Sequence, residues 1–150
     1  MDQHKVLPQI LQRRQVAKSK LFAIEQLDLK FSNGELRVYE RMEGTGRGAV
    51  MIVPMADKDT ILLVKEYCAG THSYELGFPK GLIDPGEQGA QAANRELKEE
   101  IGYGAEQLES LHTVAMAPAF FSGSMEIFIA GGLYEQRLEG DEPEPLEVVA

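Results

Sequence analysis

The sequence predicts a mixed α and β protein with more strand than helix, and three observations carry that expectation. Asn33-Gly34 stands between two strand-patterned runs, residues 21–31 and 35–42, which is a strong hairpin signal. Short apolar runs at 49–55 and 60–67, separated by Asp57-Lys58-Asp59, read as two further strands. Residues 88–101 carry the helical period: Ala90, Ala93, Leu97 and Ile101 gather on one side when placed at about 100° per residue.

The remaining elements follow in order. Residues 43–48 (EGTGRG) are a loop. Pro85-Gly86 suits the central positions of a type II turn, with glycine supplying the positive φ. Gly102 stands where a helix C-terminal glycine belongs. Residues 107–117 and 125–130 read as strands.

A chain of 150 residues is long enough for one domain with a real core. The longest apolar run, residues 49–56, is too short to cross a bilayer. The N-terminal stretch lacks the apolar core of a secretory signal, and one cysteine, Cys68, cannot form an intrachain disulfide. These features point to a cytoplasmic protein with no membrane partner. The net charge of −9 disfavours nucleic acid as a partner, because binding to phosphates requires basic patches.

The acids are not spread evenly. Glu87, Glu96, Glu99 and Glu100 form one cluster, and Asp141, Glu142, Glu144 and Glu147 form another near the end. On a helix, Glu96, Glu99 and Glu100 share one patch, since residues three and four apart are neighbours. Such a patch is either a solvated face or a holder of a hard cation. Arg95, four residues before Glu99, and Lys98 offset part of the repulsion.

A specific pattern favours the cation. The run from Gly81, five residues, Glu87, seven residues, then Arg95-Glu96-Leu97-Lys98-Glu99-Glu100-Ile101-Gly102-Tyr103 resembles the Nudix box at every fixed polar and glycine position. Tyr103 departs from it, standing where the family has an aliphatic residue. The resemblance implies an α+β fold (the α/β/α sandwich of Nudix proteins) with an N-terminal antiparallel β-hairpin extension. It implies hydrolysis of a diphosphate linkage with Mg2+ or Mn2+. A divalent ion reverses the sign of the local field that would otherwise repel an anionic substrate. Glu96 and Glu100, one turn apart, would share the cation. Glu99 would serve a second ion or position water, and the backbone carbonyl of Lys80 would complete the shell. Glu87 and Arg95 would form a structural ion pair.

The segments FSNG, RVYERM, AVMIVP and SYELGFPKGLIDPGE look like the ADP-ribose pyrophosphatase branch, nearest to its bacterial ADP-compounds hydrolases. That implies ADP-ribose, NADH and diadenosine polyphosphates as substrates, with AMP released. Pro118, sixteen residues after Gly102, and the stretch MAPAFFSGSME are similar to that branch, which makes Glu126 a substrate-positioning candidate. Arg37, Glu40 and Arg41 correspond to a region exchanged between subunits that contacts the nucleotide, which implies a homodimer. Phe120 and Phe121 could stack on adenine or fill a core. Glu142 and Glu144 match an acidic loop that supplies a general base on closure. His4, His72 and His112 show no ligand spacing.

The resemblance divides the chain into residues 1–46, an extension expected to dimerise, and residues 47–150, the Nudix domain. The last residues read as a strand, so a C-terminal helix found in relatives is expected to be missing. Two other functions fit a Nudix fold. An isopentenyl diphosphate isomerase-like enzyme would need a catalytic cysteine, and Cys68 has no supporting motif. A non-catalytic nucleotide-binding domain would have no need of the box glutamates, all of which are present here.

Overall fold

The computed structural model describes residues 5–150, and its strands outweigh its helix. The described residues form two compact units. One comprises residues 5–46 and 115–123, and the other comprises 47–114 and 124–150.

The first unit is an antiparallel sheet of β1 (Gln9–Lys18), β2 (Ala23–Lys30) and β3 (Leu36–Met42), in that order. The expected hairpin joins β2 to β3. Gly34 has φ of 90°, and its N–H donates to the Phe31 carbonyl at 2.9 Å. Strand β1 was not legible as a strand, because residues 9–18 (QILQRRQVAK) are exposed at nearly every position and show no clean alternation. Backbone pairing with β2 makes it one, with two register irregularities. The hairpin extension is therefore a three-stranded sheet.

The second unit holds the core. Strands β4 (Ala49–Asp57), β5 (Thr60–Ile61), β8 (Lys80–Leu82), β9 (Tyr103–Ala115) and β10 (Ser124–Glu135) form a mixed sheet in which β4 pairs parallel with β10. Strands β6 (Leu63–Cys68), β7 (Ser73–Gly77) and β11 (Glu147–Val149) form a smaller one in the order β11-β6-β7. The run 60–67, expected as one strand, breaks at Leu62, whose N–H donates to the Pro54 carbonyl at 3.0 Å. The chain changes sheets there, and periodicity carries no mark of a change of partner.

Helix α1 (Gly89–Glu100) starts one residue inside the expected 88–101 at each end. Gln88 and Gln91 form a reciprocal capping box, and Gly102 (φ 77°) closes the helix by donating to the Leu97 carbonyl. Ala92, Ala93, Leu97 and Ile101 are buried against Val50, Ile52, Val64 and Phe128. Of the helical layers of an α/β/α sandwich, α1 is the one present among the described residues. No helix among them is long and apolar enough to cross a membrane.

Candidate active site

Turn, strand and helix together place the box residues. Pro85-Gly86 forms the expected turn: the Glu87 N–H donates to the Asp84 carbonyl at 3.0 Å, and Gly86 has φ of 79°. The turn carries Glu87 back to the helix. There it receives Arg95 Nε and Nη2 at 2.9 and 3.0 Å, a bidentate pair. Arg95 also donates to the Leu82 carbonyl at 3.0 Å, so one guanidinium ties β8, the turn and α1 together. The partnership holds the Glu87 carboxyl below its ordinary range.

Gly81 has a specific reason to lack a side chain. A Cβ there would lie 2.0 Å from Glu96 Oε1 and 2.2 Å from its carboxyl carbon. The Glu96 carboxylate occupies the space beside the β8 backbone, and only glycine permits that approach.

Glu96 and Glu100 are the buried charged residues among those described, 7 % and 3 % exposed. Burial pushes Glu96 up to about 7, against the opposing pull of Arg95 Nη1 at 2.9 Å. Burial likewise pushes Glu100 up to about 8, aided by the charges of Glu96, Glu66 and Glu142. Glu100 has no ion-pair partner among the described residues and accepts the Lys80 N–H at 3.2 Å. Glu99 is also raised, first by burial, although Arg95 Nη1 lies 3.3 Å away.

These groups fit a hard divalent cation. The donors are oxygens, they are desolvated, and Glu100 lacks a compensating charge. Lys80 fits as well. In antiparallel pairing, the N–H and C=O of one residue face the same way. Lys80 stands opposite Met51 between the hydrogen-bonded partners Pro79 and Ile52, and its N–H turns to Glu100. Its carbonyl therefore faces the helix too. Among the described residues, no three acidic, histidine or cysteine side chains converge on one point as a metal cluster. Glu96 and Glu99 turn toward Arg95 while Glu100 turns toward Lys80.

The acidic loop after β10 meets this face. A Cβ at Gly140 would lie 3.3 Å from Glu99 Cβ and 2.3 Å from Glu142 Oε2, so Glu142 folds over Gly140 beside Glu99. Glu99 borders a cleft of about 370 Å³ with Glu142, Glu144 and Arg137. Glu144 accepts a hydrogen bond from the Tyr74 hydroxyl.

The other expected residues lie elsewhere. Glu126 sits on β10 at the opposite end of α1. It accepts a hydrogen bond from Ser110 at 2.7 Å, and its carboxylate occupies the space a Gly89 Cβ would need. Arg37, Glu40 and Arg41 are on β3 in the first unit. Arg37 pairs with Glu35 at 2.8 Å, Arg41 pairs with Glu25 at 2.8 Å, and Glu40 accepts from Gln26 at 3.4 Å. Phe120 is exposed, and Phe121 fills the space beside Gly123. Cys68 is half-buried, its thiol donating to the Glu66 carbonyl at 3.7 Å. His72 bonds Tyr67, and His4 lies outside the described residues. Two residues escaped sequence reasoning, Tyr74 and Glu66. Glu66 borders Glu100 electrostatically and pairs with Lys80 Nζ at 3.4 Å. Tyr74 lies within the SYELGF segment without any role suggested for it, Glu66 stands in no motif, and the two are on the paired strands β6 and β7.

A glycine made necessary by a buried carboxylate, a bidentate Glu–Arg clamp and two desolvated glutamates one turn apart are the parts of one family's site. The chain belongs to the Nudix hydrolase family: the family described as NUDIX domain matches residues 45–148. A second family, the NudE-type Nudix hydrolase N-terminal domain, matches residues 8–41. The chain is 59 % identical over 142 residues to the ADP compounds hydrolase NudE of Escherichia coli (strain K12), spanning 95 % of this chain and 76 % of that protein. It is 29 % identical to the ADP-ribose pyrophosphatase of Bacillus subtilis (strain 168), over 93 % of this chain and 78 % of the relative. A solved structure titled as the crystal structure of ADP compounds hydrolase superposes with a TM-score of 0.91 at 57 % identity. It covers 97 % of this chain and 78 % of its own.

Proposed function

We propose that this chain hydrolyses the diphosphate linkage of ADP-containing compounds and releases AMP, with Mg2+ or Mn2+ as its cofactor. The observation that carries this reading is the pair Glu96 and Glu100. Both are buried on adjacent turns of α1, and both are raised toward or above neutrality by desolvation. An uncompensated buried charge is costly, and such a cost is retained where the group binds or reacts. Its relatives, an ADP compounds hydrolase and an ADP-ribose pyrophosphatase, support the substrate class.

Glu96, Glu100, Glu99 and the Lys80 carbonyl would hold the cation. When bound, it neutralises the diphosphate and makes phosphorus more open to attack by water. Arg95 keeps Glu87 and the turn fixed to the helix, so β8 and α1 present their oxygens together. Glu142, which lies beside Glu99, would take the proton of the attacking water, and Glu144 is the second base candidate of the same loop. Arg37, Glu40 and Arg41 of a second copy would contact the nucleotide, as would Glu126. The domain of residues 1–46 would form the homodimer interface, and its exposed Leu11, Val16, Leu36 and Val38 support a covered face.

The test is to incubate the protein with Mg2+ and, in parallel, ADP-ribose, NADH, diadenosine triphosphate and a nucleoside triphosphate, then assay AMP. AMP is expected from one or more of the ADP-linked compounds and not from the triphosphate. Absence of turnover with all three would overturn the reading. Sedimentation at micromolar concentration should show a dimer, and a monomer there would remove the exchanged-subunit roles.

A further inference from the structure

The acidic loop joins β10 to β11 and is fastened at both ends. The Leu138 N–H donates to the Lys98 carbonyl at 3.1 Å, and β11 pairs with β6 from Glu147 to Val149. Between these points Glu142 lies beside Glu99, where two like charges oppose the approach. The middle of the loop carries a third tether. The middle is where Tyr74 reaches from β7 and donates to Glu144.

Tyr74 is itself braced. Its ring packs edge-on against Tyr67, with centroids 5.9 Å apart at 65°, and the Tyr67 hydroxyl bonds His72 Nδ1 at 2.8 Å. The hydrogen bond and charge of Glu144 hold the Tyr74 phenol above its ordinary value, so it remains a protonated donor at neutral pH.

We infer that Tyr74 is a positioning residue: by holding Glu144 it fixes the acidic loop with the Glu142 carboxylate against the α1 carboxylates. Glu142 and Glu144 are then unequal. One faces the helix, and the other is the anchor that keeps it there. The catalytic consequence rests on the hydrolase reading above, and the anchoring does not.

The test compares Tyr74→Phe with the unaltered protein by two readouts. Backbone hydrogen exchange of residues 139–146 should quicken about fivefold, the scale of one net hydrogen bond, while α1 exchange stays unchanged. Glu144→Ala should quicken the same amides to the same extent, and the double variant no further. In turnover of the best ADP-linked substrate, kcat should fall about fivefold with KM little moved. In a Glu142→Gln background the further loss from Tyr74→Phe should vanish. Unchanged loop exchange overturns the anchoring. An equal kcat loss with and without Glu142 overturns the link to that carboxylate. If the unaltered protein turns over no ADP-linked compound, the hydrolase reading fails while the exchange comparison still decides the anchoring.

Discussion

The two acidic clusters are alike in sequence and unlike in structure. Glu96, Glu99 and Glu100 are desolvated against strands of the core, and all three carboxyls are raised by burial. Asp141, Glu142, Glu144 and Glu147 sit on or beside an exposed loop. The helix groups carry the cost of burial, which removed water as their solvent and raised their carboxyls. The loop groups have water, and their placement depends on tethers. Charge density alone therefore does not define a metal-binding candidate, whereas charge density without hydration does.

The largest effect that would break this contrast is at Glu100. Glu100→Gln should lower kcat/KM by about 10²–10³-fold, the scale of losing one strong electrostatic contact to a transition state. Thermal unfolding of the metal-free variant should show stability equal to or above that of the parent, because a buried charge is gone. Retained turnover would remove Glu100 from the site. By contrast, Glu109→Gln on the exposed face of β9 should leave both readouts unchanged.

Gly81→Ala comes next. Its Cβ would overlap the Glu96 carboxyl, so Glu96 must shift. Stability should fall by about 1–3 kcal/mol, as for overpacked cores, with activity falling alongside. Chemical denaturation checks the first, and an unchanged midpoint would show that Glu96 has room to turn away.

Arg95→Lys keeps the charge and loses the planar fork that grips Glu87, Glu96 and the Leu82 carbonyl. A loss of roughly 1–2 kcal/mol is expected, the net scale of hydrogen bonds to charged groups for a partly screened site. Equal denaturation midpoints would reduce the clamp to a surface pair.

A further effect is pH-dependent. In the folded, metal-free protein Glu96 and Glu100 titrate near 7 and 8, above the ordinary value of 4.5. Between those values the folded state binds more protons than the unfolded chain. Their contribution to stability is therefore fully present below pH 4.5 and is lost as pH rises through 7 and 8. Thermal unfolding across that range should show the decline, and saturating Mg2+ should flatten it. A metal-free curve that rises toward pH 8 would contradict the burial of these groups.

Much of the candidate site was written in the chain. The spacing of Gly81, Glu87, Arg95, Glu96, Glu99 and Glu100 is local, and a turn followed by a helix converts it directly into geometry. The Asn33-Gly34 hairpin and the Pro85-Gly86 turn were legible for the same reason: each is set by the φ preferences of its own residues. Strand β1 was not legible, because its residues have no buried face and it is a strand by virtue of pairing with β2. Nor was the break at Leu62, where the chain leaves one sheet for another.

By itself, then, the sequence determined the box, its turn and its helix, and with them which carboxylates share a face. Only the tertiary structure decided which of them lose their water. Glu100 is buried by β8 and the core strands, and Glu66 comes to it from β6. Only it separated Glu142 from Glu144, because Tyr74 lies 70 residues away in the chain and arrives through the β6–β7 pairing. Local spacing fixes angles along one element, whereas desolvation and anchoring depend on which distant elements pack against it.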